Sequence, residues 1–236
     1  RNAVMQTIQG DGFIVTIIKS KRRKTTALKI KDGEVSIHIP HRLDKSIAQQ
    51  FVLEKTAWIQ GKLQLQSQQQ PIEKQFIDGE DFLFLGKHYP LQLIDQARSA
   101  SVRKNSHSLD LYGRQKRLSK KALRAALISW YKQQATQYLT SRTQHLAKQL
   151  NLLPHSITVK TYKARWGSCS KQAELNYNWK LILAPANIID YVIIHELCHI
   201  QHFNHSSDFW SLVALCCPTF KQDRLWLKEH AFELDL

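Results

Sequence analysis

Cysteine is scarce in this chain of 236 residues. The four present, Cys169, Cys198, Cys216 and Cys217, show neither the spacing of a disulfide framework nor a CxxC pair. That excludes a disulfide-stapled secreted scaffold and fits a reduced, cytoplasmic setting. Long apolar runs are missing too. The longest, Leu181 to Ile194, is broken by Pro185, Asn187 and Asp190 and cannot span a bilayer, so no membrane partner is expected. The first twenty residues lack a basic start and an apolar stretch, so no secretory signal is visible. There is no Gly-rich phosphate loop, no internal repeat and no long disordered tail. Acidic residues are also short, 19 against 34 Lys and Arg, which leaves a net charge of +15.

The charge is unevenly spread. Residues 1–185 hold 31 Lys and Arg against 12 Asp and Glu, whereas residues 186–236 hold 3 against 7. A basic field attracts nucleic acid, nucleotides or acidic proteins. The clusters Lys21-Arg22-Arg23-Lys24 and Arg114, Lys116, Arg117, Lys120, Lys121, Arg124 make nucleic acid a candidate partner of the N-terminal part. A solvated basic surface explains the same charges, and only Tyr112 lies close enough to stack on a base.

Hydrophobic residues make up 43% of the chain and charged residues 22%, an ordinary balance for a globular fold with a real core. Phe13–Ile18, Ala27–Ile30 and Val35–Ile39 read as strands, with a hairpin turn at Lys31-Asp32-Gly33-Glu34. From Asp44 to about Gln66, Ile47, Phe51 and Trp58 recur at helical spacing beside Ala48, Val52, Ile59 and Leu63, which predicts one amphipathic helix. The stretch Gln64–Gln70, closed by Pro71, is its frayed end or a linker. Phe82–Leu85 and Tyr89–Ile94 flank a second turn, and Leu109–Tyr112 adds a strand. A long helix from Ser119 to Leu150 follows, then strands at Ile157–Tyr162 and Glu174–Leu183, and helices over Asp190–Gln201, Ser207–Cys217 and Phe220–Phe232. This order gives an α+β class, with a β-rich region over 1–98 and a second domain over 99–236.

The informative segment is His195-Glu196-Leu197-Cys198-His199, with His202 and His205 beyond it. On a helix, His195 and His199 lie one turn apart on one face and can share a metal ion. Glu196 points beside that face, where it reaches a water on the metal without ligating. A catalytic zinc needs a third protein ligand and an open position. His205 is the favoured third ligand, since six residues let the chain leave the helix and return. His202 is the other candidate, but on a continued helix it sits about 10.5 Å along the axis from His195. Cys198 projects away from the pair and reads as a small core residue.

These residues belong to a longer series. Arg165-Trp166-Gly167-Ser168-Cys169-Ser170, Leu175-Asn176, Trp179, Leu181-Ile182-Leu183-Ala184-Pro185, the HExxH segment and Asn204-His205-Ser206 with Phe209-Trp210 resemble the YgjP-like metal-dependent hydrolases. Lys21–Thr26, Asp32-Gly33, Glu54-Lys55 and Trp58-Ile59 extend the likeness over nearly the whole chain. These proteins are predicted zinc metallopeptidases, distantly similar to the SprT-like proteases. The resemblance implies a zincin-like catalytic half, an active-site helix against a small antiparallel sheet. It also implies His195, His199 and His205 as zinc ligands and Glu196 as catalytic base.

The expected function is therefore a zinc metallopeptidase acting on a protein or peptide, with Glu196 moving the proton from water to the leaving amine. Arg165, Asn176 and Tyr177 are candidate substrate contacts, and with Tyr191 they are candidates for the oxyanion donor. For Trp166 and Trp179, packing of sheet on helix is the favoured role. Two variants follow from the basic charge: action on proteins held on nucleic acid, and hydrolysis of nucleotide phosphoanhydrides (a pyrophosphatase).

Overall fold

The structure, a computed structural model, describes residues 6–31, 33–68, 73–96, 99–114 and 118–236. Asp32 of the first expected turn, Gln69, Gln70 and Pro71 of the Gln-rich stretch, and Lys116 and Arg117 of the second basic cluster lie outside the described residues. The chain divides into two compact units, residues 1–70 and 71–236. The boundary set at 98/99 from sequence falls inside the second unit, between strands of a single sheet.

In the first unit, β1 (Thr7–Gln9), β2 (Ile14–Ser20), β3 (Ala27–Lys31) and β4 (Glu34–Pro40) form a sheet in the order β1-β2-β4-β3. Strands β1–β2 and β3–β4 are antiparallel hairpins, and β2 runs parallel to β4. Alternation along the strands buries Val15, Ile17, Val35, Ile37 and Ile39. Ala48, Val52 and Ile59 join that cluster from α1 (Lys45–Glu54) and α2 (Thr56–Gln68). The single helix expected here is thus two. Lys55 caps α1, its N–H bonding the Leu53 and Val52 carbonyls, and the Thr56 hydroxyl donates to Val52 O at 3.2 Å. The face carrying Ala48, Val52 and Ile59 is the one buried, so Ile47 and Trp58 on the neighbouring face stay exposed. Gln64 to Gln68 belong to α2.

The second unit opens with β5 (Asp81–Phe84), β6 (Lys87–Ile94), β7 (Ser101–Lys104) and β8 (Leu109–Tyr112), in the order β5-β6-β8-β7. Two antiparallel hairpins are again joined by a parallel pair, β6 with β8. The connection order of the first sheet is thereby repeated, although the sequence shows no repeat. Helix α3 (Lys120–Leu150) follows. The Ser119 side chain accepts from Ala122 N at its start, and Asn151 takes the left-handed conformation at its end. Its apolar stripe, Leu123, Leu127, Tyr131, Ala135 and Leu139, is buried.

A third sheet contains β9 (Ser156–Lys160), β10 (Gly167–Cys169) and β11 (Glu174–Asn178), in the order β10-β11-β9. Strand β10 is antiparallel to β11, but β9 is parallel to it. The sheet is therefore mixed, not antiparallel as the resemblance implies. The strand expected over 174–183 stops at Asn178, whose side chain accepts from Lys180 N and starts a 3-10 helix over Trp179–Leu183. Then come α4 (Ala186–Cys198), α5 (Ser207–Cys216) and α6 (Phe220–His230), which completes an α+β fold.

Helix α4 is apolar on nearly every side, the signature of a buried helix, and three contacts fix it. The β5–β6 hairpin tip donates from Leu85 N to Ile182 O at 2.8 Å and from Gly86 N to Leu183 O at 3.1 Å, just ahead of the helix. Arg142 of α3 grips Asp190 with two hydrogen bonds of 2.7 Å. Asn187 donates to Asp223 of α6 at 2.9 Å. No helix among the described residues is long and apolar enough to cross a membrane.

Candidate metal centre

His195 and Glu196 lie in the last turn of α4, and His199 caps it with backbone angles that are still helical (φ −66, ψ −15). The two histidines therefore keep their one-turn spacing. Beyond them the chain folds back, with the N–H groups of Ile200, Gln201 and His202 bonded to the Leu197 and Cys198 carbonyls. The Ser206 side chain then accepts from Phe209 N and starts α5. This return brings His205 to the end of α4. One ring nitrogen from each of His195, His199 and His205 lies within 4.8 Å of the others.

His195 Nε2 and His205 Nε2 are 3.2 Å apart, close to the roughly 3.4 Å between two nitrogens on one tetrahedral zinc. His202 contributes its backbone instead of its ring. Its carbonyl accepts the Nδ1–H of His199 at 2.9 Å, which leaves the lone pair of that imidazole on Nε2. His195 has no such support: its buried Nδ1 finds no partner among the described residues. Phe209 stacks on His199, with ring centroids 4.4 Å apart, and Trp210 stacks on His205 at 5.6 Å. Two adjacent aromatics at the start of α5 thus hold two imidazoles. The sequence motif contained them, but its spacing gave them no role.

Glu196 is only 6% exposed and lies against β10. A Cβ built on Gly167 would be 2.6 Å from Glu196 Oε1 and 2.9 Å from its Cδ. Gly167 is therefore the residue that leaves room for the carboxyl group. Burial pushes Glu196 up to about 8, with the charge of Arg165 pulling the other way. Burial also pushes His195 down to about 3, helped by His199, His205 and Arg224. His199 is lowered by burial as well. Neutral imidazoles beside a carboxyl titrating near neutrality suit metal binding and proton transfer. Cys198 is fully buried, as expected, and burial pushes its thiol up to about 12.

The three expected substrate contacts separate. Arg165 is exposed in the loop before β10, its guanidinium 5.7 Å over the Tyr162 ring. Asn176 is half-buried on β11, paired with Ser168 of β10. Tyr177 is fully buried, which leaves no surface for a substrate to touch. Alternation on β11 turns Leu175 and Tyr177 to the core together. Trp166 and Trp179 pack in the same core. Asn178, not singled out in the sequence, is buried and pins the loop: its Nδ2 donates to the Tyr162 and Arg165 carbonyls at 3.1 and 3.2 Å, and its N–H to Trp166 O at 2.8 Å. A polar residue ending an alternating strand was the available signal.

A family model described as YgjP-like, metallopeptidase domain, matches residues 24–230. The chain belongs to the YgjP-like metallopeptidase family. It is therefore a peptidase-like hydrolase of a metal-dependent class. The family span contains all of the YgjP-like centre described above, from Arg165 through Trp210. No curated protein matches the chain. Among solved structures, the metallopeptidase zymogen abylysin of Pyrococcus abyssi is similar at 22% identity, covering 38% of this chain and 93% of that one, with a TM-score of 0.35. The metallopeptidase zymogen jannalysin of Methanocaldococcus jannaschii is similar at 22% identity over 37% and 93%, with a TM-score of 0.32.

Proposed function

We propose that this YgjP-like chain is a zinc metallopeptidase of the zincin kind, with His195, His199 and His205 as ligands and Glu196 as general base. The observation that carries this reading is the approach of three ring nitrogens within 4.8 Å beside a buried carboxyl. Three imidazole donors suit zinc. A zinc ion held there would polarise the scissile carbonyl and lower the pKa of water to about 7. Glu196 receives the proton on its carboxylate and passes it to the leaving amine. Gly167 keeps that carboxylate against β10, while Phe209 and Trp210 fix the imidazole planes. Strand β10 is the outer strand of its sheet, so an extended peptide has an edge to pair with.

In the finer form of this proposal the basic first unit holds substrate proteins on nucleic acid. Lys120 is engaged by Glu73 and Gln75, and Arg124 by the Leu236 carbonyl, so Lys21–Lys24 are the better candidates for that contact. Phosphoanhydride hydrolysis has less behind it, since the family match is to a metallopeptidase domain and the donors are three imidazoles. Four unpaired cysteines support a reducing compartment.

Metal analysis of dialysed single variants tests the ligand set. His195→Ala, His199→Ala and His205→Ala should each lose zinc, and His202→Ala should keep it, because its contribution is a backbone carbonyl. Zinc kept in His205→Ala and lost in His202→Ala would reverse the choice of third ligand.

A further inference from the structure

We propose that Arg165 and Arg224 form a two-point cationic mouth that selects peptides bearing a carboxylate beside the scissile bond. The proposal rests on the peptidase reading above. Arg224 comes from α6, and its Cζ lies 4.9 Å over the ring of Trp210, which is itself stacked on His205. The guanidinium is therefore one aromatic ring away from the metal centre. Stacking on the indole face limits its motion and leaves its N–H edge free to donate. Its charge is felt at His195 and Tyr191. Arg165 approaches from a different element, over the Tyr162 ring. Asn178 holds its backbone carbonyl, and its charge is felt at Glu196.

Neither guanidinium is paired with a carboxylate among the described residues, and both residues are exposed. Arg142 shows the contrast, since Asp190 satisfies it with two bonds. Asp223, next to Arg224, is buried and occupied by Asn187 and Thr219. Residues 186–236 carry only Lys221, Arg224 and Lys228 against seven acidic residues, so a cation at the metal centre stands out from its surroundings. Each guanidinium is planar and, among the described residues, without a carboxylate partner, so each can take a carboxylate through paired N–H bonds. An acidic side chain or a chain terminus supplies the same group.

The test uses the zinc-loaded full chain and one peptide with Glu, Gln or Lys next to the scissile bond on either side. Each peptide is made with a free-acid and an amidated end. The wild type should cleave a carboxylate-bearing peptide with kcat/KM about tenfold above its neutral match, mostly through KM. Arg224→Gln and Arg165→Gln should each bring that ratio towards one, and Arg224→Glu should turn it in favour of Lys. Preference for internal Glu assigns the mouth to an acidic side chain, and preference for the free acid assigns it to a chain terminus. Equal cleavage of the Glu, Gln, acid and amide peptides by the wild type would overturn the proposal and leave the peptidase reading standing. So would a preference unchanged in both Gln variants. Cleavage of none of the peptides by zinc-bound protein would remove the peptidase reading and the mouth together.

Discussion

The sheet β1-β2-β4-β3 of the first unit and the sheet β5-β6-β8-β7 of the second are each a hairpin, a parallel pair and another hairpin. Each has a hairpin turned by a glycine with positive φ: Gly33 at 79° between β3 and β4, and Gly86 at 73° between β5 and β6. What those turns touch is different. A Cβ on Gly33 would meet nothing within 4 Å, whereas one on Gly86 would lie 2.8 Å from Pro185 Cα, at the start of α4. The first sheet packs with two short helices. The second is bonded through its hairpin tip to the 3-10 helix that leads into α4, and so towards His195 and Glu196. Identical wiring thus carries chemistry only where a site has been attached to it.

If that is right, a substitution is severe where backbone approaches the route to Glu196 and mild elsewhere. The closest approach is at Gly167. Gly167→Ala must displace the carboxyl group, and a shift of about 1 Å costs about a hundredfold in turnover. Zinc content should be unchanged, and normal kcat/KM in this variant would show that β10 does not position Glu196. The paired turns come next. Gly86→Ala combines a strained φ with a backbone clash and should destabilise the chain by about 3 kcal/mol in denaturant unfolding, with reduced turnover. Gly33→Ala has only the strain, about 1 kcal/mol, and should leave turnover alone. Equal effects of the two would erase the distinction between the sheets. The clamp between α3 and α4 falls between those two turns, and an exposed surface pair comes last. Arg142→Ala should lower stability by about 1–3 kcal/mol through the abandoned Asp190 carboxylate, and Lys120→Ala, which breaks an exposed pair, should cause no measurable change.

Much of this was legible in the sequence because local rules and tertiary packing agreed. Helix α3 has a continuous stripe, a Ser119 cap and an Asn151 stop, so its ends were readable almost to the residue. His195, Glu196 and His199 sit at fixed helical spacing and needed only a helix. His205 was readable as a return from the helix, but not the device that achieves it, the Ser206 cap with Phe209 and Trp210 behind the rings. Strand β10 went unseen because Gly167-Ser168-Cys169 has little strand propensity and exists through its pairing with β11. The break at Lys55 was hidden because both faces of the 44–66 segment are partly apolar, and Ala48, Val52 and Ile59 became the core face. Tyr177 was misassigned because nearness in sequence to the motif outweighed the alternation of β11, which turns it inward.

The most direct test of the account is peptide hydrolysis by the zinc-loaded Glu196→Gln variant, read alongside its zinc content. The account predicts zinc equal to that of the unmodified chain and turnover lower by about a thousandfold, the scale of a general base. Undiminished peptide cleavage with zinc in place would contradict it, because the buried carboxyl beside Gly167 would then have no part in moving the proton.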